Sequence, residues 1–211
     1  MSGAEIFGLI SGTVSIIEAI RKLYSGLRDS ENLPLAFREV LDRLPLVQDI
    51  LQSAEYDVGN ADEDSCRAIK KIVERCREKA KRLQTVFKEV APSEGMSRFE
   101  RYRMVVRRLG KGTQVEVLTK EMMEDVRLLV ESHVVKAATE TQITQLLKDI
   151  KDLSSMEPSV LDEESSITYN HYGHGGQNVL AGPGSQYVNS GNNSNQYNVT
   201  GSSQTINFGR D

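Results

Sequence analysis

The sequence predicts an all-α bundle of four to five helices, followed by a disordered, amyloid-prone tail rich in Gly, Asn and Gln. Three observations carry that expectation. Apolar residues recur at helical period through residues 1–155, punctuated by capping residues and prolines. No alternation of strand and helix patterns and no phosphate-loop pattern interrupts them, so a nucleotide-binding fold is not supported. Residues 165–209 contain no Lys, Arg, Asp or Glu, and their scattered apolar side chains are too few to offset chain entropy. The boundary falls at Met156-Glu157-Pro158-Ser159, where proline stops a helix. The organisation is a helical domain at 1–155, a linker at 156–168 and a tail motif at 169–211.

A first helix runs from about residue 3 to 28. The second opens at Asn32-Leu33-Pro34, with Asn32 as cap and Pro34 near the first turn, and continues to about 54 with a kink at Pro45. The third spans about 62–90, opened by Asp62-Glu63-Asp64 and closed before Pro92. Ser97 with Glu100 fits a capping box for a short fourth helix that ends at Gly110, and Thr113 with Glu116 fits another. The last helical stretch reaches about 153, long for one helix, and a break near the apolar-poor Ala137–Gln142 would divide it.

Charge is distributed unevenly. The 211 residues include 26 Lys plus Arg and 30 Asp plus Glu, a formal net charge of −4. Residues 1–64 hold 5 cations and 12 acids, residues 65–111 hold 15 and 5, and residues 112–164 hold 5 and 12. The slightly acidic balance argues against nucleic acid as a partner, as do the sparse aromatics among the cations. Two cysteines, Cys66 and Cys76, exclude a disulfide scaffold and a four-cysteine zinc site. Three histidines, with His133 alone in its helix, leave little for metal or acid–base chemistry. No catalytic residue, metal or cofactor is expected, and the chain is not expected to be an enzyme.

Between Glu5 and Glu18 lie twelve uncharged residues, Ile6 to Ile17. A run this short falls below the roughly 20 residues that span a bilayer, which favours a buried central helix. No basic residue precedes it, which disfavours a signal peptide. Yet Ile6, Phe7, Leu9, Ile10, Val14, Ile16, Ile17 and Ile20 occupy nearly all faces. Gly8, Ser11, Gly12 and Ser15 add the small-residue spacing that lets helices approach closely in lipid. Glycine inside a soluble helix costs about 0.5–1 kcal/mol relative to alanine. The helix is therefore sticky and modestly stable, and these eight apolar residues are the candidates for membrane insertion.

Within the positive block, Lys70, Lys71, Arg101, Arg107, Arg108 and Lys111 have two readings. They belong to a solvated face that pairs with the acidic helices, or to a patch for anionic lipid headgroups, worth about 1 kcal/mol per cation at an anionic leaflet.

The tail is a repeat. Aligned on glutamine, it gives Gln177 to Gly182, Gln186 to Gly191, Gln196 to Gly201 and Gln204 to Gly209, each Gln followed by Gly five positions on. Between them stand Val179, Val188, Val199 and Ile206 among polar residues. This is the pattern of short strands bounded by glycine turns. One unit cannot bury its apolar side, but stacked units can, with Gln and Asn ladders along the stack. Neutral charge removes repulsion between copies.

The stretch from Ile6 through Tyr24, then Leu33-Pro-Leu-Ala-Phe-Arg-Glu-Val40 and Arg43-Leu-Pro-Leu-Val47, resembles the fungal SesA domain. That domain stands at the N-terminus of NACHT and other P-loop NTPases of the STAND class. It is a HeLo-like helical family, similar in architecture to the four-helix executioner domain of necroptosis. The resemblance covers roughly residues 1–150. The tail is similar to fungal amyloid signalling motifs of the kind compared with the RIP homotypic interaction motif.

Together the two resemblances imply a cytoplasmic cell-death executioner. A STAND receptor with a matching motif seeds the tail into amyloid. The concentrated helical domains then release the first helix into an anionic plasma membrane. The chain is expected to act as effector, since no NTPase module is present in it. The alternative is a non-lytic adaptor or inhibitor that docks a partner through its bundle and uses the tail for recruitment.

Overall fold

Local chemistry explains where each helix begins. The computed structural model describes residues 3–25, 33–59, 61–91, 95–132 and 138–161, together with the backbone of 185–187 and 197–199. Among these residues there are six α-helices. They are α1 (Gly3–Ser25), α2 (Leu35–Val58), α3 (Glu63–Val90), α4 (Arg98–Leu109), α5 (Val115–Glu131) and α6 (Glu140–Ser155), with a 3-10 turn at Lys111–Thr113. Asp62 caps α3 by accepting from Ser65 N at 2.9 Å and from Ser65 Oγ at 2.7 Å. Those bonds from Ser65 hold the Asp62 carboxyl below its ordinary value. Ser97 caps α4 through the Glu100 amide at 3.2 Å. Thr139 and Gln142 form a reciprocal capping box that opens α6. The long last stretch is thus divided at the expected place, which takes the bundle to six helices rather than four or five.

Two caps differ from the sequence reading. Pro34 is the N-cap of α2, with φ −54° and ψ 147°, and its carbonyl accepts from Phe37 N at 3.0 Å. Asn32 lies outside the described residues. Pro45 sits inside α2 without ending it. Thr113 does not cap α5; it closes the 3-10 turn by donating to Gly110 O at 2.6 Å. Gly110 has φ +92° and ψ 158°, a backbone region that only glycine occupies without strain. Glu116 is thereby free of the capping role and turns inward.

α3 packs against α1, α4 and α5, and α2 packs against α1, α5 and α6. Phe37 of α2, Phe87 of α3 and Tyr102 of α4 meet in the core. The Phe37 ring lies 4.9 Å from each of the other two, tilted on Phe87 and edge-on to Tyr102. Cys66 and Cys76 are both buried and unbridged. Burial, reinforced by the charge of Asp125 and opposed by Lys79, pushes the Cys76 thiol up to about 12. It therefore stays protonated and packs as a small apolar group.

Charge pairs tie the layers. Asp125 of α5 is only 3% exposed. It takes Arg75 Nε at 3.0 Å, Arg75 Nη2 at 2.8 Å and Lys79 Nζ at 2.6 Å, all from α3. Arg43 of α2 reaches Glu39 at 2.6 Å and Asp149 of α6 at 3.6 Å.

Contacts divide the chain into one unit at Met1–Leu161 and another at Asp162–Asp211. The first extends past the expected end of the bundle at 155. Part of the expected linker is seated on the bundle, because Ser159 N and Oγ both donate to Glu116 Oε1 at 2.8 Å. In the second unit, the strands β1 (Ser185–Tyr187) and β2 (Tyr197–Val199) pair antiparallel, with Gln186 opposite Asn198 and Tyr187 opposite Tyr197. The pair joins the second and third repeats. It sets equivalent tyrosine positions across from each other, and Gln faces Asn instead of Gln.

Removing Asp125 leaves two cations without their buried partner. Asp125→Ala is expected to cost about 3–5 kcal/mol. Glu124→Ala, which breaks only the exposed pair with Lys120 at 3.7 Å, should stay within about 0.5 kcal/mol. Urea unfolding followed by far-UV circular dichroism measures both.

Candidate functional site

The eight residues singled out in α1 divide by face. Ile6, Ile10, Val14, Ile17 and Ile20 are buried in the core, Leu9 and Ile16 are partly buried, and Phe7 is 45% exposed. α1 is therefore not enclosed on all sides as a central helix would be. Outside the core it exposes Ala4, Phe7, Gly8 and Ser15, with the charged Glu5 near one end and Arg21 and Lys22 near the other. At 1.5 Å per residue its 23 residues extend about 34 Å, against a hydrocarbon core of roughly 30 Å. By length and composition it is long and apolar enough to cross a membrane, although the uncharged run taken alone suggested a shortfall.

The small residues have separate reasons. Gly12 lies against Arg77 of α3, but a Cβ there would sit 3.4–3.6 Å from the guanidinium group, an ordinary contact that does not by itself require glycine. Gly3 admits the end of α2, since a Cβ would lie 2.7 Å from Val58 O. Gly8 meets nothing within 4 Å. No contact inside the bundle explains it.

A polar clasp holds the other end of α1. Gln48 of α2 is buried, accepts from Arg21 Nη1 at 2.7 Å and donates to Glu18 Oε1 at 3.2 Å. The signal for it is legible in hindsight: Gln48 interrupts the apolar stripe of Leu44, Val47 and Leu51. Thr13, also buried, donates to Leu9 O at 2.8 Å within its own helix. α1 thus carries its buried hydroxyl already satisfied.

The six basic residues do not form one patch. Lys70 and Lys71 lie near the start of α3, and Lys70 pairs with Glu74 at 3.6 Å. Arg101, Arg107 and Arg108 lie on α4, where Arg108 pairs with Glu89 near the end of α3. From Lys70 to Glu89 the helix rises about 28 Å, well beyond a Debye length of about 8–10 Å. Arg101, Arg107 and Arg108 share a shallow depression with Met104, Val105 and Glu89. Lys111 begins the 3-10 turn after α4.

A second polar cluster ties down the end of the first unit. Tyr102 Oη lies 2.7 Å from Ser159 Oγ and accepts from Val115 N at 3.1 Å. Gln114 Nε2 donates to Val160 O at 2.7 Å. Burial, with the nearby Glu116 charge adding to it, pushes the Tyr102 phenol well above its ordinary value, so it remains a neutral donor and acceptor. The sequence reading missed this cluster because Glu116 looked like a cap.

The family model of the SesA domain, described as the N-terminal domain on NACHT NTPases and P-loop NTPases, matches residues 10–129. The chain belongs to the SesA family. No curated protein and no solved structure matches it. The family suggests the role of a signalling effector domain. The matched SesA segment runs from within α1 to near the end of α5, so α6 and the Ser159 strap lie beyond it. Among the described residues of this SesA protein no group of three or more His, Cys, Asp or Glu is placed to hold a metal. His133 lies outside the described residues. So do most of the tail positions: Gln177, Val179, Gly182, Val188, Gly191, Gln196, Gly201, Gln204, Ile206 and Gly209. Gln186 falls in β1 and Val199 in β2.

The glycines separate packing from function. Gly8→Ala is expected to stabilise the SesA domain by about 0.5–1 kcal/mol, because it adds helix propensity and meets nothing. Gly3→Ala should destabilise it, because the added methyl meets a backbone carbonyl. Thermal melting of the two variants against wild type reads both signs.

Proposed function

We propose that the protein is a cell-death executioner switched by amyloid templating, with α1 as the membrane-permeabilising element. The observation that supports this most is α1 itself. It is apolar, long enough to span and packed at the rim, with its exposed charges confined to Glu5 near one end and Arg21 and Lys22 near the other. Its five buried aliphatic side chains contribute about 1.5–3 kcal/mol each. That sum is comparable to the roughly 5–15 kcal/mol net stability of a whole domain. Release into water is therefore as costly as unfolding, whereas transfer into lipid keeps the same side chains away from water. Under this reading the resting protein is cytoplasmic. A STAND-class receptor with a matching motif seeds the tail, copies of the chain assemble on it, and the concentrated SesA domains deliver α1 to the plasma membrane. The four glutamine-to-glycine units are the templated segment, and no catalytic step, cofactor or nucleic acid takes part.

The clasp at Gln48 supports a second reading. α1 stays seated, and the bundle serves as a non-lytic adaptor recruited by its tail.

Dye release from anionic vesicles separates the two. Deleting residues 1–24 should abolish leakage, but it also removes core. Ser15→Asp is the sharper test. Ser15 is exposed in the bundle, so melting should be unchanged, while aspartate near a helix centre costs about 2.5–3.5 kcal/mol in the membrane. Leakage that persists unaltered in Ser15→Asp would sink the lytic reading. Separately, residues 165–211 should form fibrils that bind thioflavin and diffract at about 4.7–4.8 Å. Failure to do so even when seeded rules out the amyloid switch.

A further inference from the structure

The second and third units of the tail can pair in two ways that exclude each other. Aligned on glutamine and running in the same direction, they set Gln186 against Gln196, Tyr187 against Tyr197 and Gly191 against Gly201. Ser185 then meets Asn195, and Asn189 meets Val199. This is the arrangement in which identical residues stack and further copies add in register. The observed pairing differs. β1 and β2 run antiparallel, with Ser185 opposite Val199, Gln186 opposite Asn198 and Tyr187 opposite Tyr197. The match of Gln with Gln is lost, and one unit is reversed relative to the other. Of the three observed pairs, only Tyr187 with Tyr197 belongs to both arrangements.

The antiparallel pair bonds backbone groups of both units within one chain, and the two strand edges that meet are closed to any other strand. A strand cannot run parallel and antiparallel to the same neighbour. The pair must therefore part before the two units take up the repeat alignment. Two strands alone are marginally stable in water, so the brake is weak and a seed can overcome it. Closure in about nine molecules of ten raises the concentration needed for a given capture about tenfold, since only the open fraction binds.

We propose that the β1–β2 pair is a closed, self-paired form of the tail that holds the second and third units out of the templated register until a seed captures the open form. The inference rests on the amyloid reading above and adds to it a gate within the same chain.

Disulfide locks in the full chain test it. Opposed Cα atoms of an antiparallel pair lie about 4.5–5.5 Å apart, a span that a disulfide bridges. Ser185→Cys with Val199→Cys ties positions that are opposite only in the closed form. Tyr187→Cys with Tyr197→Cys ties positions that are opposite in both forms, at the same kind of ladder position two residues along each strand. Cys66 and Cys76 are buried, which keeps them out of the exchange. Growth on wild-type fibril seeds is followed by thioflavin fluorescence. The oxidised 185–199 variant should not extend seeds, and reduction should restore growth. The oxidised 187–197 variant should extend them. Equal growth of the 185–199 variant in its oxidised and reduced forms overturns the proposal, and so does an equal block in both oxidised variants.

A measurement without fibrils keeps the test decisive even if Val199→Cys itself impairs growth. Equilibrium with glutathione gives the effective concentration of each thiol pair in the monomer. A featureless chain closes the shorter loop more readily. It would therefore favour Ser185→Cys with Asn195→Cys over Ser185→Cys with Val199→Cys. The closed form reverses that order, with 185–199 ahead by about tenfold at the closure above. The order of a featureless chain overturns the gate. Wild type that forms no fibrils even when seeded removes the amyloid reading and the gate with it. Wild-type fibrils together with unhindered growth of the oxidised 185–199 variant remove the gate alone.

Discussion

The bundle is organised around the need to cover one face of α1. Five aliphatic side chains on that face require a dry wall, and α2 and α3 provide it jointly. α2 and α3 are in turn braced from the far side by α5, through the buried Asp125 pairs and the aliphatic residues of the core. The aromatic contact of Phe37 with Phe87 and Tyr102 joins α2, α3 and α4. What the arrangement leaves uncovered is the other face of α1, where Ala4, Gly8 and Ser15 offer little to pack against. A helix with this composition is half solved by the bundle, and that half-solution is what makes a second environment for it physically sensible.

Much of this architecture was legible in the sequence because period and punctuation agreed. Asp62, Ser97 and the Thr139–Gln142 box mark helix starts through short-range chemistry, which a linear reading captures. The break after α5 was legible for the same reason. What escaped the sequence were uses decided by tertiary partners. Glu116 follows Thr113 at capping spacing, but the glycine-dependent turn at Gly110 rotates that segment, and the carboxylate serves Ser159 instead. Gly12 and Gly8 look equivalent along the chain. One lies in contact with Arg77 and the other faces open space, and only the neighbouring helix distinguishes them. The six-residue basic patch failed as a single site because sequence proximity along α3 and α4 does not carry the roughly 28 Å that a helix puts between Lys70 and Glu89.

The alternating charge blocks acquire a physical meaning from the same comparison. The positive block is not one surface but two. α3 spends many of its cations on holding the bundle together, across to Asp125 and along its own length. α4 has one acid of its own for five arginines. Net charge by segment therefore says little about how the charges are used, since several α3 cations are held by acids inside the bundle.

The Ser159 strap has a mechanical consequence. The covalent path from the second unit into the first enters at Leu161 and meets Val160 and Ser159 before it reaches α6. Tension arriving along that path is borne first by a few hydrogen bonds to Gln114, Glu116 and Tyr102, in the manner of a strain relief on a cable. Tyr102 belongs at once to this anchor and to the aromatic contact with Phe37. A pull at the end of the domain is thus passed into the interior in part through a phenol ring that is itself packed in the core.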